Sequence, residues 1–225
     1  MRFPILLSIF LFLALLFLFP LLFGGLMLGA LAKLHLSASS AFFLVFAIIL
    51  GGAINIPVKR IPRDEDVEQW RFGAYGLGGL FPQFVQQTRE TVIAVNLGGC
   101  IIPSLLVLYE FRYIFEQGSE VVTAALLASA VNIFACYRLA RPIPGIGIGM
   151  PALLTPLIAA GLAVFLAPDY APPVAFIAGV TGPLIGADLL HLKDISKVSV
   201  GTLSIGGAGT FDGIILSGIV AAYLA

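Results

Sequence analysis

Two aspartates could do chemistry, because each lies within an apolar stretch of the sequence. Asp188 stands in Gly-Pro-Leu-Ile-Gly-Ala-Asp-Leu-Leu-His-Leu, and Asp212 stands in Gly-Gly-Ala-Gly-Thr-Phe-Asp-Gly. Ionisable residues inside a bilayer are costly and are functional candidates by default. Two neighbouring carboxyl groups in an apolar site hold one proton between them, because both cannot be ionised together. One group can then take a proton from water while the other polarises a carbonyl. This is aspartic-protease chemistry, and it requires no metal or cofactor.

Each aspartate also has a structural interpretation. Asp212 lies near a predicted helix start, where an acidic side chain interacts favourably with the helix dipole. Asp188 could pair with Lys193, or form a metal or proton site with His191, which lies three residues later on the same helical face. The sequence has two histidines, and the other, His35, is predicted on the opposite face of the membrane. A zinc site is therefore not expected.

The composition places these aspartates in a membrane protein. Of the 225 residues, 60% are hydrophobic and 11% are charged, and the mean hydropathy is +1.07. A soluble domain carries about 25% charged residues, so this chain cannot cover a water-facing surface. The length fits one integral membrane domain over residues 1–225, surrounded by membrane lipids. The net charge of zero suggests no nucleic-acid partner.

The hydropathy pattern predicts an all-α fold, a polytopic transmembrane helical bundle with about seven spans. The predicted spans are Phe3 to about Ala32, Ala41 to about Val58, Thr91 to about Phe111, Val121 to about Leu139, Pro151 to about Ala167, Pro173 to about Leu192 and about Gly207 to Ala225. The first stretch also resembles a signal peptide, with Arg2 before an apolar run. That run exceeds the about 7–15 residues of a signal peptide, which favours a retained helix.

Several segments are predicted to interrupt the helices. Residues 141–149 contain two prolines and three glycines, which exclude a regular helix. Residues 193–205 are polar and then alternate in hydropathy, which indicates a short extended segment before the last helix. Two antiparallel helices joined in this way would hold Asp188 and Asp212 at one depth, each about 8 Å inside its helix end. Residues 73–88 are Gly-rich and are predicted to lie at the membrane interface.

The basic residues orient the predicted bundle. With seven spans, ten lysines and arginines fall on one side and two on the other, which together are all twelve in the chain. The larger group is Arg2, Lys59, Arg60, Arg63, Arg71, Arg89, Arg138, Arg141, Lys193 and Lys197. Lys33 and Arg112 form the smaller group. The positive-inside rule then predicts a cytoplasmic N-terminus and places both aspartates in the cytoplasmic third of the membrane. We expect a multi-pass protein of a prokaryotic inner membrane.

The chain as a whole resembles an uncharacterised prokaryotic family of membrane proteins of unknown function. The motifs that carry this resemblance are Gly-Ala-Ile-Asn-Ile-Pro at 52–57, Gly-Ala-Asp-Leu-Leu-His-Leu at 186–192 and Gly-Ala-Gly-Thr-Phe-Asp-Gly at 207–213. This resemblance covers most of the chain and implies no activity.

A second, local resemblance does imply an activity. Residues 209–217, Gly-Thr-Phe-Asp-Gly-Ile-Ile-Leu-Ser, are similar to the GxGD segment of presenilin and signal peptide peptidase, which are intramembrane aspartyl proteases. In those families the other catalytic aspartate lies on the preceding helix, which implies Asp188 here. They also carry a Pro-Ala-Leu motif, which Pro151, Ala152 and Leu153 match. The sequence differs from the family pattern in having Phe211 at the second glycine, no tyrosine before Asp188, Pro-Ala-Leu ahead of the aspartates, and two spans fewer.

These patterns together predict an intramembrane aspartyl-type hydrolase. Asp188 and Asp212 would be the acid/base pair, and a transmembrane helical substrate would be the partner. Pro151, Ala152 and Leu153, with Gly209 and Thr210, would contact the substrate, and residues 198–205 would hold it as an added strand.

Two other classes of function remain open from the sequence. Helices interrupted by glycine and proline at 51–57, 141–151 and 206–209 resemble the broken helices of transporters, in which one aspartate would carry a proton or cation. A non-catalytic membrane scaffold is the third class, in which the acids only stabilise helix packing. The amides of Asn55, Asn96 and Asn132 are expected to join helices. The carboxyl–carboxyl distance distinguishes these classes, because a close and water-accessible pair favours hydrolysis.

Overall fold

The chain is mostly helical. The computed structural model describes Leu7, Phe10 and residues 22–62, 90–143, 147–197, 202–208 and 212–225. Its α-helices are α1 (Leu22–Ala32), α2 (Ala38–Gly51), α3 (Ile102–Gln117), α4 (Ser119–Leu139), α5 (Leu154–Leu166), α6 (Ala171–Thr181) and α7 (Gly213–Leu224). A π-helical turn, Leu97–Ile101, leads into α3, and a π-helix, Gly182–Leu189, continues α6. The 3₁₀ turns are Pro168–Tyr170 and Leu192–Lys197.

Three helical stretches in the described part of the chain are long and apolar enough to cross a membrane. They are Leu97–Gln117, Ser119–Leu139 and Pro168–Asp194. The helices α1, α2, α5 and α7 are also apolar but have fewer than 18 residues. A spanning helix needs about 20 residues. The helices are thus those of a membrane protein, and the predicted fourth and sixth spans correspond to single continuous helical stretches.

The all-α prediction is wrong in part, because the described residues include five strands, which form two small sheets. The strands are β1 (Asn55–Pro62), β2 (Glu90–Asn96), β3 (Arg141–Ile143), β4 (Gly147–Gly149) and β5 (Thr202–Ile205). The first sheet has the order β1-β2-β5, in which β1 is antiparallel and β5 parallel to β2. β3 and β4 form an antiparallel pair.

This sheet replaces parts of two predicted spans. The span predicted from Ala41 to Val58 is helical only to Gly51, and the span predicted from Thr91 is β2 up to Asn96. Both misassigned runs are short, apolar and rich in β-branched residues, and hydropathy alone cannot distinguish such a strand from a buried helix. Their pairing decides the structure, since Val92 faces Arg60 on one side and Thr202 on the other.

The predicted helix interruptions are confirmed where the structure describes them. The β3–β4 pair occupies residues 141–143 and 147–149. Between Lys193 and Gly209 the described residues form a 3₁₀ turn, the strand β5 and a turn at 206–208, so no single helix runs through them. Residues 198–201 of the predicted extended segment, and the predicted interfacial segment at 73–88, lie outside the described residues.

Helix α6 is the centre of the bundle. Its residues are buried on every side, as expected of a helix that is apolar all round. One apolar cluster, which includes Met27, Leu31, Ile48 and Ile219, packs α1, α2 and α7 together with α6. A second cluster is rich in alanine and joins α3, α4, α5 and α6. Small side chains allow the helix backbones to approach closely, which is how membrane helices gain packing energy.

A contact between a buried carboxyl group and a partly exposed histidine ties the α1–α2 turn to α3. Glu110 is 0% exposed and is a third acid inside an apolar helix, beyond the two that the sequence indicated. Its Oε1 accepts a hydrogen bond from the His35 backbone N–H at 3.3 Å, and its Oε2 lies 3.4 Å from the His35 Nδ1. The His35 ring stacks on Tyr113, and the Tyr109 hydroxyl donates to the His35 carbonyl oxygen at 2.6 Å. The two elements are therefore joined by polar contacts as well as by apolar packing.

We expect His35→Ala to lower the free energy of unfolding by about 2 kcal/mol or more, because it leaves the buried Glu110 carboxyl without its side-chain partner. The loss should shrink in a Glu110→Gln background, where no charge has to be compensated. Glu116→Gln is the matched control, since the Arg112–Glu116 pair is exposed and 3.9 Å apart. Unfolding in mixed micelles measures four purified variants: His35→Ala, Glu110→Gln, the double variant and Glu116→Gln. A cost of His35→Ala as small as that of Glu116→Gln would contradict a stabilising contact.

Candidate functional site

Asp188 lies on the π-helix that continues α6. Pro183 has no backbone N–H, so it cannot make the regular bond to Gly179, and the helix continues with wider turns. Glycines let this π-helix approach α4 closely. A Cβ at Gly186 would stand 2.8 Å from the Cβ of Cys136 and would overlap the carbonyl oxygen of Ile133. The carboxyl group is therefore carried on a segment packed against α4.

His191 closes the end of this π-helix. Its Nδ1 donates to the carbonyl oxygens of Gly186 at 3.1 Å and Ala187 at 3.0 Å, which the ending helix leaves without regular partners. The ring is buried and lies 5.0 Å from the ring of Tyr137. His191 thus shapes the turn that carries Asp188.

Asp212 is the N-cap of α7. Its Oδ1 accepts from the N–H of Ile214 at 2.9 Å and its Oδ2 from the N–H of Ala208 at 3.3 Å. The expectation that this residue lies one and a half turns inside the last helix is wrong, because α7 begins only at Gly213. An aspartate satisfies the free N–H groups of a first turn, which explains why the helix starts there.

The structure brings the two aspartates together. The charge of Asp212 acts on Asp188, so the two carboxyl groups lie within Coulombic range of each other. The Cys100 thiol is near both carboxyl groups, and the Cys136 thiol is near Asp188. Both aspartates are half-buried. We call these four side chains the aspartate site.

A glycine turn makes this approach possible. Gly206, between β5 and α7, has φ +72°, a conformation that favours glycine. A Cβ there would stand 2.8 Å from the Cβ of Cys100. The turn therefore lies directly on the π-helical entry to α3, and Asp212 follows it into the aspartate site.

The two carboxyl groups have different surroundings. Asp212 accepts two backbone hydrogen bonds at the start of a helix, whereas Asp188 makes no hydrogen bond with the described part of the chain. Donors of this kind favour the charged form of a carboxyl group. The two carboxyl groups therefore differ in the hydrogen bonds that stabilise their charged forms.

The Pro-Ala-Leu segment lies beside the start of α7. Pro151, Ala152 and Leu153 are exposed and precede α5. Met150, just before them, touches the residue after Asp212, because its Cε would stand 2.9 Å from a Cβ at Gly213. The other two residues expected to contact substrate, Gly209 and Thr210, lie outside the described residues.

The sequence did not indicate a group of polar residues in the middle of the bundle. The inner polar cluster comprises Asn132, Cys136, Thr155 and Ser217. Thr155 Oγ1 and Ser217 Oγ are 3.4 Å apart, and the Cys136 thiol lies near Thr155. Asn132 donates to the Ala178 carbonyl oxygen, as expected of an amide that joins helices. The signal for the others is weak, since a lone small polar residue in an apolar run is common in membrane helices.

The described residues contain no group of three or more His, Cys, Asp or Glu side chains that could hold a metal ion.

A family model described as a protein of unknown function (DUF1614) matches residues 49–224. No curated protein and no solved structure matches the chain. The matched residues include all five strands, both aspartates and the Pro-Ala-Leu segment.

Proposed function

We propose that this protein, which belongs to the DUF1614 family of proteins of unknown function, is an intramembrane aspartyl-type hydrolase. Asp188 and Asp212 are its acid/base pair. The observation that carries the proposal is that two half-buried carboxyl groups, on different helical elements, lie within Coulombic range of each other. In the proposed enzyme the two groups share a proton, which is the working state of an aspartic-protease pair.

The different surroundings of the two carboxyl groups assign their roles. Two backbone N–H donors favour the charged form of Asp212, so Asp188 carries the shared proton. Asp212 then takes a proton from water as the resulting hydroxide attacks the carbonyl carbon of a peptide bond, and Asp188 gives its proton to the carbonyl oxygen. When the tetrahedral gem-diol intermediate collapses, one of its hydroxyl groups returns a proton to Asp188, the C–N bond breaks and the nitrogen leaves with the proton from Asp212. The products are a carboxylic acid and an amine.

The substrate class follows from the setting of the pair. A site among apolar helices takes a peptide bond from a transmembrane helix that has locally unwound into an extended form. β5 lies at one edge of its sheet and leads through the turn at 206–208 to Asp212, so its outer edge suits strand addition. Pro151–Leu153, exposed beside the start of α7, are the proposed contact on the other side of the substrate, together with Gly209 and Thr210.

The proposal includes the seven-span orientation with the N-terminus and the aspartate site on the cytoplasmic side of the inner membrane. Lys193 and Ser39 are both exposed and would face opposite sides. We expect an impermeant maleimide added outside intact cells to label Ser39→Cys and to spare Lys193→Cys. The native thiols of Cys100 and Cys136 are buried, and the unmutated protein therefore gives the background level of maleimide labelling. Labelling of Lys193→Cys alone from outside would reverse the orientation.

The proposal is tested by cleavage of a helical membrane substrate. The purified protein in liposomes should cut such a substrate, and a transition-state-mimicking inhibitor of aspartyl proteases should stop the reaction. Absence of cleavage across a panel of single-span substrates, with proton-coupled uptake abolished by Asp188→Asn alone, would replace the hydrolase with a transporter.

A further inference from the structure

The inner polar cluster contains a buried polar atom without a partner. Asn132 donates from Nδ2 to the carbonyl oxygen of Ala178 at 2.8 Å. This bond identifies which of the two amide atoms is the nitrogen and which is the oxygen. The Oδ1 atom is buried and has no hydrogen-bond partner in the described part of the chain. Leaving such an acceptor unpaired costs about 1–3 kcal/mol. Native proteins pair nearly all buried polar atoms, either with protein groups or with ordered water.

Polar groups surround the Asn132 side chain. Gly182, at the start of the π-helix, packs on the nitrogen end of the amide, because a Cβ there would overlap Asn132 Nδ2 and stand 3.1 Å from the Cys136 Sγ. The Cys136 thiol lies near Thr155, whose hydroxyl oxygen is 3.4 Å from that of Ser217. The exposed fractions of these four polar side chains are 0% for Asn132, Cys136 and Thr155 and 1% for Ser217. A buried water needs two to four polar partners, and this cluster offers them.

We propose that Asn132 Oδ1 binds a buried water molecule, with Cys136 and Thr155 as its other partners, and that this site supplies water to the aspartate pair. The proposed water site lies close to the aspartate pair. Cys136 lies within Coulombic range of Asp188, and Ser217 follows Asp212 by five residues, about 7.5 Å along α7. The water site stands without the proposed hydrolase, whereas its role as a supply rests on that function.

Hydroxyl-radical footprinting by X-ray radiolysis tests the site, because radicals formed from bound water oxidise the side chains next to it. The full chain in lipid nanodiscs holds two thiols of equal chemistry. By exposure alone Cys100, 7% exposed, should oxidise faster than Cys136, 0% exposed. We expect the opposite order, with Cys136 oxidised several-fold faster.

Asn132→Leu keeps the shape of the side chain and removes the acceptor. It should lower the Cys136 rate to that of Cys100 and leave Cys100 unchanged. Ser129→Ala is the matched control, a buried polar change one turn earlier on α4 that should alter neither rate. Thr155→Val should lower the Cys136 rate less strongly, and it carries the test if Asn132→Leu does not fold. The water site would be overturned if Cys136 in the wild type is oxidised no faster than Cys100. It would also be overturned if the folded variants leave the oxidation rate of Cys136 unchanged.

The two proposals fail in different ways. Loss of Cys136 oxidation in Asn132→Leu, with no cleavage of any substrate by the wild type, would retain the water site and remove the hydrolase. Full cleavage by an Asn132→Leu variant that has lost Cys136 oxidation would retain the hydrolase and overturn the supply role. A several-fold lower turnover in that variant, with unchanged substrate binding, is the expected result.

Discussion

Replacing either aspartate by asparagine is expected to reduce cleavage of a helical membrane substrate by at least about 100-fold, the usual contribution of a positioned acid or base. Asparagine keeps the size of the side chain but can neither accept nor deliver the proton. Losses in Asp188→Asn and Asp212→Asn should be non-additive, because each carboxyl group works only with the other. Turnover by purified variants in liposomes measures the effect. Substantial cleavage by the double variant would exclude the pair as the catalytic machinery.

The cap formed by Asp212 requires a control that separates stability from catalysis. Asparagine is as good an N-cap as aspartate, so Asp212→Asn should keep the bond from the Ile214 N–H and stay folded. Asp212→Ala should cost about 1 kcal/mol of stability, because it removes the cap. A purely structural role predicts that Asp212→Asn retains its activity and that only Asp212→Ala loses it. A catalytic role predicts that both are inactive.

Gly186→Ala is expected to lower the free energy of unfolding by about 3 kcal/mol, at the upper end of the cost of overpacking. The added methyl group would overlap the Ile133 carbonyl oxygen and stand 2.8 Å from the Cys136 Cβ and 3.0 Å from the Tyr137 nitrogen. Two of these three atoms are backbone of α4, so they cannot give way as a side chain would. The π-helix must move instead, and Asp188 moves with it. Unfolding in mixed micelles and cleavage should therefore both be impaired.

Gly161→Ala is the matched control for this change. Gly161 lies within α5, and a Cβ there would meet no atom within 4 Å. Alanine at such a position should stabilise the helix by about 0.5–1 kcal/mol through its higher helix propensity. Equal stabilities of Gly186→Ala and Gly161→Ala would mean that the π-helix does not pack on α4 as closely as the distances indicate.

Much of the helical framework followed from hydropathy and from the residues that break helices. The run from Val121 to Leu139 is long, apolar and free of glycine and proline, and it forms α4 almost to the residue. Two prolines and three glycines at 141–149 exclude a helix wherever their neighbours lie. These features are local, because backbone sterics and the cost of burying charge act on each segment separately. The choice of Asp188 as a candidate had the same local basis.

The sheet could not be predicted in this way. The central residues of β2, 92–95, are as apolar as those of a spanning helix, and they form a strand because β1 and β5 pair with them. Val92 pairs with Thr202, more than one hundred residues away in the chain. No window of sequence contains both partners. The position of Asp212 has the same origin, since its N-cap geometry depends on the turn at 206–208 that lies on Cys100.

The sequence by itself thus determined a membrane protein of apolar helices, the places where those helices break, and two acids in apolar surroundings. Only the tertiary structure decided that Asp188 and Asp212 lie within range of each other's charge, that Glu110 is held by His35, and that Asn132 belongs to a buried polar cluster. The physical reason is that burial cost and helix breaking are properties of single segments. Contacts between charges, hydrogen-bond partners and strands depend on how distant segments pack.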